Sequence, residues 1–133
     1  MDGLKRKRLN FSRVTGKERK KMKKIEAYIQ PFMLRKVEDA LRAIHIHGMS
    51  VIEAKGFGRE KDESYPHHAV DSVIDFTPKT KIEIICFDAD CDKIKEAILS
   101  SAHTGRKGDG KIFIFDVQEA VSIRSGEKGE KAI

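Results

Sequence analysis

The chain has 133 residues and a formal net charge of +6, with 39% hydrophobic and 36% charged residues. That length makes one domain with a real but modest core. No apolar stretch nears the roughly 20 residues of a membrane span, and no secretory hydrophobic segment is present, so a soluble, cytoplasmic domain without stable membrane insertion is expected.

The charge is unevenly spread. Residues 1–21 hold nine of the 27 Lys and Arg and two of the 21 acids, which leaves 18 basic against 19 acidic groups in 22–133. The body is near neutral and the basic character is an extension, read as disordered because it has few apolar residues and no period. Met22 itself looks like a start.

From Met22, "KIEAYIQP" alternates Ile25, Ala27 and Ile29 against Glu26, Tyr28 and Gln30, the period of a half-buried strand that Pro31 ends. "FMLRKVEDALRAI" then sets Met33, Leu34, Val37, Ala40, Leu41 and Ile44 on one helical face. After Gly48, residues 49–58 read as a second strand. Residues 59–72, "REKDESYPHHAVDS", form a long polar loop, a kind that tends to be functional in small domains. "VIDF" and "KIEIICF" resume the strands. Asp90 is a candidate cap for a helix that buries Cys91, Ile94, Ala97 and Ile98 and runs to about Ala102. The strand "KIFIFDV" at 111–117 and a short "VSIRS" segment follow.

The order β-α-β, long loop, β-α-β predicts an α+β ferredoxin-like sandwich, a four-stranded antiparallel sheet with both helices on one face. The other face carries Glu26, Tyr28, Lys81 and Glu83, and self-association is one way to cover it. Cys86 and Cys91 have no second pair to complete a zinc site and are expected to be reduced thiols. The histidines, including the adjacent His67 and His68, lack companions at metal-ligand spacing.

"TGRKGDGKIFIF" at 104–115 reproduces much of a G-x-x-x-x-G-K phosphate loop. Ile112 replaces the magnesium-holding Ser or Thr, and a strand follows where a Walker loop needs a helix. Either the loop binds phosphate by another geometry or it is a tight turn.

Thr104-x-x-x-Gly108-Asp109-Gly110-Lys111-Ile112-Phe113-Ile114 resembles the signature of the PII signal-transduction proteins. "KKIEAYIQPF", "GMSVIEAKGFGR", "IDFTPKTKIEI" and "IRSGEKGEKAI" match the same family in order, over 22–133. The resemblance implies a non-catalytic homotrimeric regulator that binds ATP or ADP between subunits. Its long loop, about 58–73 here, docks on a transporter or metabolic enzyme in nitrogen metabolism. It implies that Gly108, Asp109 and Gly110 wrap phosphates with backbone, while Lys111, Arg59 and Arg124 supply cations. Ser50 and Ile85 correspond to positions beside the base, and Gly56 and Gly58 give room at the loop base. Ser122 and Ile123 belong to the C-terminal stretch beside Arg124.

Three departures bear on function. Ser122 stands where the family has an arginine, so one phosphate contact worth roughly 1.5–3 kcal/mol is lost. Weaker triphosphate binding, with a shift towards ADP, is expected. Glu60 replaces the glutamine of 2-oxoglutarate-sensing members. As a carboxylate it suits Mg²⁺ but opposes a dicarboxylate, while Lys79, which pairs with the oxo-acid, is retained. "HHAVDS" at 67–72 lacks the tyrosine that is uridylylated in many members, and Ser72 stands at its end.

Three other readings stand beside this one. A sensor of adenine nucleotide or inorganic carbon in carbon metabolism would not sense 2-oxoglutarate. A nucleic-acid-binding ferredoxin-like module would use the basic extension, but needs stacking aromatics on the central strands, which are not evident. A small nucleotide-processing enzyme would have only Asp109 and Glu60 as general bases. Nucleic acid is not an expected partner.

Overall fold

Alternating side chains build the sheet. The computed structural model describes residues 21–58 and 76–133. The readings made for the extension, for Arg59 and Glu60, and for the histidine and serine positions of the long loop lie outside the described residues. Strand β1, Met22–Ile29, sends Ile25, Ala27 and Ile29 into the core, and its polar positions to the other face. β2 is Ser50–Gly56, β3 is Thr77–Phe87 and β4 is Gly110–Val117. They lie in the order β2-β3-β1-β4, and every pair is antiparallel.

Helix α1 spans Leu34–Ala43 and α2 spans Asp88–Ala102. Val37 and Leu41 from α1, and Cys91, Ile94, Ile98 and Ala102 from α2, form one core with Ile25, Ala27, Ile29, Ile82, Ile84 and Cys86. Both helices therefore cover the same sheet face, in the expected ferredoxin-like arrangement. Both cysteines are free and buried, and burial, chiefly, pushes the Cys86 thiol up to about 11. A thiol held there is protonated and inert at neutral pH.

Two local expectations are corrected. Asp90 does not cap α2: the helix begins at Asp88, with Phe87 at the cap and no side-chain cap bond. Asp88 and Asp90 lie in the first turn instead, where carboxylates complement the helix dipole. The chain after Pro31 is first a short 3-10 turn over Pro31–Met33, and α1 starts only at Leu34. Of "VIDF", only Phe76 lies among the described residues, and it precedes β3, whose described pairing runs from Thr77.

The uncovered face is a mixed surface. Lys24 and Lys81 each pair with both Glu26 and Glu83, at 2.9 to 3.4 Å, so four opposite charges form a closed ring over β1 and β3. Tyr28, Phe113 and Phe115 flank it: Tyr28 and Phe113 meet edge to face at 6.3 Å, and Lys24 lies over Phe115. This face is more aromatic than its strand pattern suggests. The rings sit on β1 and edge strand β4, while central β3 contributes Lys81 and Glu83.

Candidate functional site

The turn from α2 into β4 begins where the helix runs out at Ala102. Residues 103–109 then reverse the chain into β4, and they can do so because Gly105, Gly108 and Gly110 take φ of +88°, +93° and +109°. These are values that side-chain-bearing residues rarely adopt. Gly110 is constrained in space as well, since a Cβ there would lie 1.7 Å from the Tyr28 carbonyl oxygen. Its closeness to β1 follows from the ladder, which pairs Gly110 with Ile29 and Lys111 with Tyr28.

Asp109 closes the turn. Its carboxylate accepts the amides of Thr104 at 2.8 Å and Gly105 at 2.9 Å, and also the Thr104 hydroxyl. The Arg106 amide in turn donates to the Thr104 hydroxyl at 3.2 Å. His103 stands 3.6 Å from the same carboxylate. Partial burial pushes the Asp109 carboxyl up, but the donors from Thr104 and Gly105, with His103 beyond them, outweigh it and hold the group below the usual carboxylate range. A carboxylate so occupied braces a loop and is poorly placed to take a proton from a substrate.

From the other side, the Lys79 ammonium donates to the Gly108 carbonyl. Lys79 stands on β3 opposite Ala54 of β2, close to where the long loop leaves the sheet. An open cleft of about 160 Å³ adjoins the turn, lined by Tyr28, His103, Asp109, Gly110 and Lys111 over an apolar floor that includes Ile98 and Ile112. Lys111 is exposed at its rim.

The other expected site residues fall into separate groups. Ser50 opens β2 opposite Glu83, and Ile85 lies half-buried one step further along the same face of β3. Gly56 pairs with Thr77 at the stem of the long loop, and Gly58 follows it, exposed. Phe57 and Phe76 meet edge to face at 5.4 Å across that stem. Ser122, Ile123 and Arg124 lie in a C-terminal turn closed on itself: the Ser122 amide donates to Glu127, Gly126 to Ser122, and Gly129 to Ala120. Ile123 at its tip is fully exposed. Within one chain, Lys79, Gly108, Asp109, Gly110 and Lys111 are brought together, while Ser122, Ile123 and Arg124 form a separate group.

Two contributors to the site were given no site role from the sequence, Thr104 and Tyr28. The Thr104-to-Asp109 spacing was a usable signal, because Asp side chains in turns commonly accept nearby backbone amides. Among the described residues, no cluster of His, Cys, Asp and Glu is able to hold a metal, so the magnesium expectation rests on Glu60.

Known proteins share this architecture and sequence. The family model for nitrogen regulatory protein P-II matches residues 22–127. A nitrogen regulatory protein P-II from Azospirillum brasilense is 52% identical over 112 residues, which are 84% of this chain and all of that protein. Its counterpart from Rhodospirillum rubrum is 50% identical over the same spans. The crystal structure of Arabidopsis thaliana PII bound to citrate superposes with a TM-score of 0.69 at 34% identity, covering 86% of this chain and 94% of that one. The chain therefore belongs to the PII family of nitrogen regulatory proteins, non-enzymatic signal-transduction regulators of nitrogen metabolism.

Proposed function

We propose that three copies of residues 22–133 assemble and that each cleft between neighbours takes ATP or ADP. The observation that carries this is the 104–111 turn: backbone with left-handed glycines, clasped by Asp109 and Lys79 and edged by Lys111. Such a turn brings main-chain N–H groups close to an anion. In this reading Gly108, Asp109 and Gly110 hold the phosphates and Lys111 adds a point charge. Arg124 with Ser122 and Ile123 arrives from the adjoining copy, which accounts for the C-terminal turn standing apart. Ser50 and Ile85 bound the base, and Gly56, Gly58 and Arg59 close the loop side.

The nucleotide state governs a partner protein, a transporter or metabolic enzyme engaged through the 58–73 loop. The assembly works in the cytoplasm. No helix among the described residues is long and apolar enough to cross a membrane, which is consistent with a regulator that visits its target. With Ser122 in place of a second arginine, ADP competes well with ATP. A solved relative was found with citrate; 2-oxoglutarate is the carboxylate proposed here, with Mg²⁺ at Glu60. Isothermal calorimetry with ATP and ADP, with and without 2-oxoglutarate, tests the reading alongside native mass spectrometry. A trimer with three saturable adenylate sites is expected. A monomer that binds neither nucleotide overturns it.

A further inference from the structure

We propose that Lys79 is a positioning residue of the glycine turn: it orients the Gly108–Asp109 peptide for anion binding before any carboxylate ligand arrives. The proposal rests on the nucleotide site proposed above and gives that site a component. Lys79 reaches from β3 to the Gly108 carbonyl, 29 residues away in sequence, and the contact is partly buried. A trans peptide is planar, and its C=O and N–H point in opposite directions. Anchoring the Gly108 oxygen on the ammonium therefore turns the Asp109 N–H away from Lys79. Without the anchor the peptide is free to flip, since Gly108 has no side chain to resist it and already sits at φ +93°.

The turn is thus braced from two sides. The Asp109 carboxylate gathers the amides of Thr104 and Gly105, and Lys79 holds the following bend. Because Lys79 lies two residues beyond Thr77, where β3 leaves the stem of the long loop, the same contact ties phosphate-loop geometry to the stem. A carboxylate ligand that takes up the ammonium competes with the Gly108 carbonyl for it, and so changes the turn.

Lys79→Met and Lys79→Arg separate this from a role confined to the oxo-acid. Two measurements are needed: amide hydrogen exchange over 104–111, and calorimetric Kd values for ATP and ADP with and without 2-oxoglutarate. Lys79→Met is expected to speed exchange at 108–110 and to weaken both nucleotides about tenfold with no oxo-acid present, the loss typical of one charge-assisted hydrogen bond. Lys79→Arg, which keeps a donor, is expected to restore most of both. If Lys79→Met keeps parental exchange over 104–111 and parental ATP and ADP affinity, losing only the oxo-acid response, the inference is wrong. If the parent protein binds no adenylate at all, the proposed function falls, and exchange at 108–110 still decides whether Lys79 positions the turn. Should Lys79→Met not fold, Lys79→Gln is read in the same two ways.

Discussion

A single carboxylate sets the shape of the glycine turn. Asp109→Asn keeps one acceptor oxygen but aims an amide group at donors. It should weaken adenylate binding about tenfold, because hydrogen bonds to a charged group are worth roughly 1.5–3 kcal/mol. Titration calorimetry reads the loss. The pH dependence follows from the sign of the shift. Asp109 is held below its ordinary 3.8 in the folded chain. The stability it lends is complete above that ordinary value and is lost as pH falls through the depressed one. Urea melts of the parent should therefore show a steeper acid-limb decline than those of Asp109→Asn. Gly110→Ala is the harsher change. Its Cβ would fall 1.7 Å from the Tyr28 carbonyl at a φ of +109°, so β1 and β4 must part there. A loss on the order of 3 kcal/mol is expected, read as a lowered denaturation midpoint. An Ala variant with parental stability would mean that the turn does not approach β1 this closely.

At the scale of elements, α2 is held by one face. Ile98 is almost wholly buried, whereas its neighbour Leu99 is about half exposed. Ile98→Ala should cost about 2–5 kcal/mol and Leu99→Ala a small fraction of that, by denaturant unfolding. Equal effects would mean that the helix faces elsewhere. The same periodicity that separates these residues made the fold legible. Ile25, Ala27 and Ile29 announced β1, and the two β-α-β units with antiparallel pairing followed from element order. The boundaries were less legible, for physical reasons. Asp90 looked like a cap, but a cap needs a side-chain bond to a free helical amide, and the first-turn carboxylates of Asp88 and Asp90 favour the helix start through charge alone. In the site, glycine spacing exposed the turn, because positive φ selects glycine. The role of Lys79 was hidden. Nothing in a one-dimensional pattern tells that an ammonium reaches a carbonyl 29 residues away.

For the whole molecule, the decisive question is what covers the sheet face opposite the helices. That face presents Phe113, Phe115 and Ile52, each 41–47% exposed, around a ring in which the two Lys and two Glu charges cancel. Aromatic area with no net charge suits contact with a like surface, since identical copies then meet without electrostatic repulsion. The extension, with its excess of Lys and Arg, does not match a neutral face, so the proposed trimer is the better occupant. The ring's charge balance also bears on the pH range of such an assembly. Glu83 is held below 4.5, chiefly by its hydrogen bond from Lys81; for Glu26, desolvation opposes the donors from Lys24 and Lys81 but is outweighed. Their stabilisation is full above 4.5 and fades as pH falls through the lowered values. Lys24 and Lys81 are raised above 10.5, mainly by hydrogen bonds to Glu26 and Glu83 respectively, so their share is full below 10.5 and fades as pH climbs through the raised values. Native mass spectrometry should then find the trimer across the neutral range and smaller species only towards both extremes. Phe113→Glu places an unbalanced charge beside Tyr28, on the edge strand where the ladder itself tolerates polar side chains. It should give folded monomers at neutral pH, and with them a loss of adenylate binding if neighbouring copies complete the site. A Phe113→Glu protein that stays trimeric would place the assembly contact on another surface.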